Sequence, residues 1–236
     1  MRALILDNAI DHDVYKPIGH WKKFLKMPFD SFHASAGELP GDISQYTHII
    51  ITGSEDSITE ERGWIGAEEL LVKKAVEDGK AVLGSCYGHQ LLAKSLFGKK
   101  VVGKSETPEL GWDYLEVIRN DQLFGDAGNL LPALLIHFDE VKDLPEDYVD
   151  VISTTKGCRI QAFKLKGLPV WGVQSHPEID VKEGQATFER MIAKAEKENS
   201  PRLNLFLKAR DSVPKEAGWF DGFMKKFQEI SVSISS

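Results

Sequence analysis

The chain is poor in cysteine and has no long apolar run. Its two cysteines, Cys86 and Cys158, are too few for a disulfide framework and too far apart for a Cys-x-x-Cys motif, which favours a reducing, cytoplasmic location. The longest apolar stretch, residues 130–136, contains a proline and is far shorter than the ~20 residues that cross a bilayer. An apolar run of four residues at the start is too short for a signal peptide, so neither export nor a membrane partner is expected.

The chain also lacks an excess of positive charge. It has 29 Lys and Arg against 36 Asp and Glu, a formal net charge of −7. Because nucleic-acid binding needs clustered positive charge, no nucleic-acid partner is expected. With 42% hydrophobic and 28% charged residues in a length of 236, the composition is that of an ordinary globular chain with a sizeable core.

The spacing of apolar residues predicts an α/β fold with a central, mostly parallel but mixed sheet between two layers of helices. In the first half, strands are expected at 3–6, 29–34, 48–52 and 81–86, and helices at 21–25, 64–77 and 90–97. In the second half, shorter strands are expected at 114–118, 148–154, 158–164 and 170–174. Further helices are expected at 182–197, 203–209 and 220–230.

Cys86 lies between a predicted strand and a predicted helix, in the segment Gly-Ser-Cys-Tyr-Gly-His-Gln at residues 84–90. Small residues on both sides of it allow the sharp strand-to-helix turn that lifts a nucleophile clear of a sheet. The N-terminus of the helix favours a thiolate and offers N–H groups to an oxyanion. Cys86 is therefore the candidate nucleophile, whereas Cys158, in a plain strand pattern, is interpreted as a buried apolar residue.

A candidate base and its acidic partner follow the predicted strand at 170–174, in the segment Ser-His-Pro-Glu. His176 is expected at the same carboxyl edge of the sheet as Cys86, which is where sites form in α/β proteins. Glu178 is near enough along the chain to turn back to the imidazole ring, which gives a nucleophile–base–acid set. Alone, this tetrapeptide fits a surface loop, but its position after a strand and alongside Cys86 favours the triad.

The two motifs resemble the Gly-x-Cys-x-Gly-x-Gln and His-Pro-Glu signatures of the class I, triad-type glutamine amidotransferases. Residues 51–54, 109–112 and 137–139 also look like that family's oxyanion-strand loop, Glu-x-Gly segment and His-x-Asp element, in the same order. The resemblance covers about residues 1–197 and is similar to a stand-alone GMP-synthase glutaminase domain. It implies a flavodoxin-like α/β fold, with residues 198–236 as a C-terminal helical extension.

The resemblance also implies roles for particular residues. Cys86 would attack the side-chain amide of glutamine, and His176, held by Glu178, would protonate the departing ammonia. The backbone N–H groups of Gly53 and Tyr87 would form the oxyanion hole, whose loss typically costs ~10²–10³ in rate. Holding the α-amino and α-carboxylate groups of the substrate would fall to Gln90, Phe138 and Asp139. The resemblance implies no cofactor.

Three other features have simpler interpretations. His137 is interpreted as a histidine that holds a loop, and the remaining histidines lack metal-binding spacing, so no metal site is expected. The acidic segment 54–62 is interpreted as a solvated loop ahead of a lid or a partner surface. The aromatic stripe in the extension, carried by Trp219, Phe220 and Phe223 among others, fits core packing more often than a dimer or partner surface.

The sequence leaves several functions open. The first is a glutaminase that passes ammonia to an acceptor enzyme on a separate chain, since no nucleotide-binding or pyrophosphatase-type loop follows the triad. The second is a hydrolase of γ-glutamyl peptides or conjugates, which uses the same thioester chemistry. A catalytically silent binding protein on the same fold is third, and a homo-oligomer remains open. The chain order Cys86, His176, Glu178 disfavours an α/β-hydrolase, which places the acid before the histidine.

Overall fold

The computed structural model describes residues 1–126, 128–214 and 218–232. Within these ranges the strands are β1 (Ala3–Asp7), β2 (Phe29–His33), β3 (His48–Ile51), β4 (Ala81–Ser85), β5 (Val102–Val117), β6 (Leu130–Val141), β7 (Val149–Thr154), β8 (Ala162–Leu165) and β9 (Val170–Val173). The α-helices are α1 (Pro17–Trp21), α2 (Ile65–Glu77), α3 (Tyr87–Phe97), α4 (Val181–Lys197), α5 (Leu203–Arg210) and α6 (Phe220–Gln228). The strands form one sheet in the order β2-β1-β3-β4-β9-β8-β7-β5-β6.

The strands β2-β1-β3-β4-β9 form the parallel half of the sheet. All residues of β1, β3, β4 and β9 are buried, as expected for parallel strands that helices cover on both faces. Because parallel strands end at one edge, the segments that follow β3, β4 and β9 meet there. These segments contain Gly53, Cys86 and His176, so this edge carries the candidate site.

The strands β8, β7, β5 and β6 continue the sheet in antiparallel fashion. β5 and β6 form a long hairpin whose register shifts between Lys104 and Glu109. The sequence predicted only residues 114–118 of β5 and none of β6, because Pro108 and Pro132 interrupt the strand patterns. The structure accommodates Pro108 inside the register shift and Pro132 on β6, which is an edge strand and tolerates proline.

Helices cover both faces of the sheet. On one face, α2 and α3 bury apolar side chains such as Val72 and Leu91 in a core shared with β1, β3 and β4. On the other face, α6 buries Phe223 and Phe227 in a second core that includes Trp171 of β9. The predicted three-layer α/β architecture with a mixed sheet is confirmed.

Two predicted elements begin or end elsewhere. The helix expected at 21–25 is instead α1, which starts four residues earlier because Pro17 suits a first helical position. The strand expected at 158–164 starts only at Ala162, since residues 158–161 form a turn that hydrogen-bonds back to Thr155. Neither difference moves the residues of the candidate site.

The predicted extension contributes α5 and α6 to the structure. Phe220, Phe223 and Phe227 of α6 are at most 3% exposed, so the aromatic stripe is core rather than a free surface. The division of the chain after residue 197 stays a prediction, and residues 215–217 and 233–236 of the extension lie outside the described residues. No helix in the described ranges is long and apolar enough to span a membrane.

Candidate active site

Cys86 forms the turn between β4 and α3. Its φ of 50° and ψ of −107° define a conformation that residues other than glycine rarely adopt. The amide of Cys86 donates to the carbonyl of Val173 at 2.8 Å, and the amide of Gly88 donates to the carbonyl of Thr52 at 3.1 Å. Backbone strain of this kind is worth about 1–3 kcal/mol and persists only where the surroundings enforce it. Bonds to β9 and to the end of β3 therefore hold Cys86 in the predicted elbow.

Gly84 and Gly88 allow three backbone segments to meet beside Cys86. A Cβ atom at Gly84 would collide with the carbonyl of Gly88, and a Cβ atom at Gly88 would collide with the carbonyl of Ile51. Because both contacts are with backbone atoms, no side-chain rotation could relieve them. The Gly-x-Cys-x-Gly spacing is thus a packing requirement of the elbow.

His176 and Glu178 lie beside Cys86 at the end of β9. The Nδ1–H of His176 donates to Oε1 of Glu178 at 2.9 Å, and the side chains of His176 and Cys86 are hydrogen-bonded. Both His176 and Glu178 are buried, and the amide of His176 donates to the carbonyl of Leu134 at 2.8 Å. The structure therefore brings the three predicted triad residues together.

Two further side chains hold the carboxylate of Glu178. The Tyr15 hydroxyl donates to Oε1 at 2.7 Å, and the Ser85 hydroxyl donates to Oε2 at 3.2 Å. The Tyr15 ring also packs edge-on against His176, with 5.6 Å between ring centres. Sequence reasoning missed Tyr15 because it lies 163 residues from Glu178, in a loop without a motif.

The charges of these groups support one another. Burial lowers the pKa of His176, but the adjacent Cys86 and Glu178 outweigh burial and raise the pKa well above its ordinary value. Burial raises the pKa of Glu178, yet its contacts with His176 and Tyr15 leave that pKa lower than usual. His176 is therefore an imidazolium at neutral pH, poised to donate a proton.

Gly53 brings the loop after β3 against both Cys86 and His176. A Cβ atom at this position would lie 2.8 Å from Cε1 of His176 and 3.4 Å from Cβ of Cys86, so a side chain does not fit. In the parts of the chain that the structure describes, the amides of Gly53 and Tyr87 donate to no acceptor. Two unpaired N–H groups beside a nucleophile are what an oxyanion hole requires.

Gln90, Phe138 and Asp139 line the same cleft. The Nε2 of Gln90 donates to the carbonyl of Asp139 at 2.9 Å and to Oε1 of Gln174 at 3.0 Å. The Nδ1–H of His137 donates to the same Asp139 carbonyl at 3.1 Å. His137 thus holds the segment that carries two of the predicted substrate-binding residues, as its loop-holding interpretation expects.

The acidic segment 54–62 is docked on the carboxylate of Asp139. The Ser57 hydroxyl donates to Oδ2 at 2.5 Å, and the Ile58 amide donates to the same oxygen at 3.2 Å. Lys104 Nζ lies 3.0 Å from Oδ1, and Ile58 is fully buried. The solvated-loop interpretation is therefore wrong for this part of the segment, because residues 54–57 form one wall of the cleft.

Glu109, His137 and Cys158 bring donor atoms within 4.8 Å of one another, a spacing that could hold a metal ion. The carboxylate of Glu109 already accepts hydrogen bonds from Thr155 at 2.7 Å and Gln161 at 2.5 Å, and lies 3.1 Å from Nε2 of His137. Burial raises the pKa of Cys158 to about 12, which keeps its thiol protonated and unreactive. The contacts describe a hydrogen-bonded brace behind the cleft, and the absence of a metal stays a prediction.

The cleft has a volume of about 290 Å³ and two distinct ends. Cys86, Gln90 and His176 line one end. Side chains of α4 and α5, among them Met191 and Phe206, line the other. The extension is thus part of the cleft wall, which sequence reasoning missed because nothing in the pattern of α5 indicates what it packs against.

Comparison with known families and proteins gives consistent matches. A model of the family described as glutamine amidotransferase class-I matches residues 13–194. A subunit of glutamine-hydrolyzing GMP synthase from Pyrococcus abyssi is 36% identical over 126 residues, which are 53% of this chain and 65% of that protein. The protein of the same name from Methanothermobacter thermautotrophicus is 38% identical over 109 residues, 46% of this chain and 57% of that one. The chain thus spans less than two thirds of either relative.

Solved structures share the fold at low sequence identity. A glutamine amidotransferase from Thermotoga maritima is 21% identical with a TM-score of 0.73, covering 97% of this chain and 96% of its own. One from Methylobacillus flagellatus is 19% identical with a TM-score of 0.74, covering 97% and 94%. A putative GMP synthase subunit from Thermoplasma acidophilum is 20% identical with a TM-score of 0.59, covering 84% and 96%. The first two match over nearly the whole chain, so their folds include the C-terminal helices.

Proposed function

The chain belongs to the class-I glutamine amidotransferase family, as its motifs predict, and on this premise we propose that it hydrolyses the side-chain amide of glutamine to glutamate and ammonia. The observation that carries the proposal is the strained elbow of Cys86 in contact with the His176–Glu178 pair. A non-glycine residue held at φ 50° at a helix N-terminus, beside a buried imidazolium, is the arrangement of an activated thiol nucleophile.

In the first step, the thiolate of Cys86 attacks the γ-carbonyl carbon of glutamine. Negative charge develops on the carbonyl oxygen, and we assign its stabilisation to the unpaired amides of Gly53 and Tyr87. The dipole of α3, which begins at Tyr87, adds to this stabilisation. The tetrahedral intermediate then collapses with cleavage of the C–N bond.

His176 supplies the proton that the departing ammonia takes. Because its pKa is raised, the ring carries that proton at neutral pH, and Glu178 with Tyr15 keeps the ring oriented. Neutral His176 then accepts a proton from water, which attacks the γ-glutamyl thioester on Cys86 and releases glutamate. Protein side chains supply every proton transfer in this scheme.

Gln90, Phe138 and Asp139 are proposed to orient the amino-acid end of the substrate. Gln90 and the Asp139 carbonyl are already joined by a hydrogen bond, and His137 holds the same carbonyl from behind. Preorganised polar groups of this kind bind without reordering, which favours a productive substrate position.

We propose an acceptor enzyme on a separate chain as the destination of the ammonia. The curated relatives are named as subunits of GMP synthase, which supports a separate partner for this chain as well. A reducing compartment such as the cytoplasm would keep the Cys86 thiol available for the reaction.

The test is ammonia release from glutamine by the whole chain, with mass spectrometry of Cys86 after treatment with a glutamine analogue that carries an electrophile at the γ-position. We expect turnover, one adduct on Cys86, and loss of both in Cys86→Ala by several orders of magnitude. Cys158→Ala is the matched control and should keep both, because its buried thiol is inert.

Two outcomes would contradict the proposal. Ammonia release that survives in Cys86→Ala would remove the thioester from the reaction. A wild-type chain that neither releases ammonia nor forms the adduct, with folding verified by circular dichroism, would favour the catalytically silent alternative.

A further inference from the structure

The cleft that holds Cys86 continues past the space that a glutamine side chain needs. Its volume of about 290 Å³ lies near the lower end of the ~300–1,000 Å³ typical of sites for whole small molecules. The residues proposed to hold glutamine occupy only the end near Gln90 and Asp139. The far end includes Arg202 and Phe206, which lie beyond the residues that the family model matches.

The far end combines apolar and cationic chemistry. Phe206 is buried and packs with Phe138 and Met191, which gives an apolar floor. The guanidinium of Arg202 lies 4.1 Å from the centre of the Phe138 ring, a cation–π contact that holds it beside the cleft. An apolar floor beside a positioned guanidinium suits a short organic group that ends in a carboxylate.

Arg202 is the cation at this end that lacks an acidic partner within the described residues. Lys194 pairs with Asp11 at 2.6 Å, and Lys104 pairs with Asp139 at 3.0 Å. Glu198, at the end of α4, also lines the far end and carries the opposite charge. A carboxylate bound here would therefore be attracted by Arg202 and repelled by Glu198.

Glutamine cannot use this far end through its leaving group, because that group is only ammonia. A γ-glutamyl compound with a substituted amide nitrogen would extend from Cys86 into the remaining space. The substituent would need apolar atoms to lie on Phe138 and Phe206 and a carboxylate to reach Arg202. Both requirements are met by an amino acid or short peptide attached through its amino group.

We propose that the far end of the cleft is a leaving-group subsite for γ-glutamyl amino acids and peptides, with Arg202 binding the carboxylate of the leaving amine. The proposal rests on the thioester chemistry proposed above. Cys86 forms the bond to the γ-carbonyl carbon, the C–N bond breaks, and the amino acid departs with a proton from His176. Water then hydrolyses the thioester and releases glutamate, so only the leaving amine differs from the glutamine reaction.

The test compares kcat/KM for three substrates: glutamine, a γ-glutamyl dipeptide ending in a free carboxylate, and the same dipeptide with that carboxylate amidated. The wild type should prefer the free dipeptide to its amide by about tenfold, the scale of one charge-assisted hydrogen bond near a surface. Arg202→Ala should remove this preference and leave glutamine hydrolysis within about twofold. Glu198→Gln should change the preference in the opposite direction and increase it.

Arg210→Ala is the matched control. Arg210 lies at the opposite end of α5 from Arg202 and contacts Glu189 and Asp211, outside the cleft, so its loss should leave all three rates unchanged. This control separates a local effect of Arg202 from a general effect of removing a cation near α5.

The outcomes distinguish the subsite from the underlying reaction. Equal rates for the free and amidated dipeptides, or an equal loss of glutamine and dipeptide hydrolysis in Arg202→Ala, would overturn the leaving-group subsite. In either case the glutaminase proposal would stand. If Cys86 formed no adduct and none of the three substrates reacted, the proposed function itself would fail.

Discussion

Replacement of Glu68 by glutamine is expected to stabilise the protein at neutral and alkaline pH. Glu68 lies on α2 and is fully buried. One carboxylate oxygen accepts a hydrogen bond from Nδ2 of Asn8 at 3.0 Å, and the other has no partner within the described residues. Burial raises the pKa of Glu68 from 4.5 to about 8, and the hydrogen bond from Asn8 only partly opposes it. The folded protein therefore holds this carboxyl in its protonated form at pH 7.

The raised pKa has a defined effect on stability. In the unfolded chain Glu68 ionises near pH 4.5, whereas in the folded protein it keeps its proton to about pH 8. The unfolded state thus binds fewer protons between these values, and stability that is fully present below pH 4.5 falls as the pH rises towards 8. At ~1.4 kcal/mol for each pKa unit, the whole interval is worth about 5 kcal/mol, and the part between pH 6 and pH 8 about 2–3 kcal/mol.

Glutamine removes this dependence because it does not ionise. Its side chain has the same shape and can still accept the hydrogen bond from Asn8. Its amide N–H can also donate to the partnerless Oδ1 of Asn8 or to the hydroxyl of Tyr87, which likewise has no partner in the described ranges. The variant should therefore lose no hydrogen bond while avoiding the buried charge.

The assay is equilibrium unfolding in urea at pH 6, 7 and 8, followed by tryptophan fluorescence. The difference in unfolding free energy between Glu68→Gln and the wild type should grow by about 2–3 kcal/mol across this range. Glu77→Gln, on the exposed side of the same helix, is the control and should give a difference that does not change with pH. A Glu68→Gln difference that is equally constant would refute a buried, protonated carboxyl.

Two further predictions concern the triad and the extension. Glu178→Gln removes a carboxylate that raises the pKa of His176, so glutamine hydrolysis should fall by about 10²–10⁴-fold and alkylation of Cys86 at pH 6–7 should slow; alkylation at the wild-type rate would contradict the assigned pairing. Phe223→Ala deletes a fully buried ring that contacts Phe124 and Phe220, and urea unfolding should report a loss of about 3–5 kcal/mol. A loss below about 1 kcal/mol would mean that α6 is not part of the core.

The parallel half of the sheet could be predicted because each strand announces itself locally. Residues 3–6 and 48–52 are continuous apolar runs, the pattern of strands buried on both faces, and the structure places β1 and β3 there. The elbow could be predicted for a similar reason, since the glycines around Cys86 are needed by backbone contacts within a few residues. Local patterns suffice where local geometry sets the requirement.

The remaining features depend on contacts between distant segments. Tyr15 reaches Glu178 only because the fold brings the first loop over the end of β9. On α2, the apolar stripe was expected to include Leu70, but that side chain is 68% exposed and Glu68 is buried instead. A buried glutamate has no apolar signature, so the periodicity could not identify the face of this helix correctly.

The same division separates the proposed reaction from the proposed choice of substrate. The thioester chemistry needs Cys86, His176 and the amide of Gly53, and the ends of three adjacent parallel strands supply these groups. The leaving-group subsite needs Arg202, whose position depends on how α5 packs against α4 and β5. Helix packing tolerates substitution better than a strained backbone does, since side chains of similar volume can replace one another. Members of this family that share the elbow can therefore differ in the amine they release, and side chains at the α5 end of the cleft are where such differences should lie.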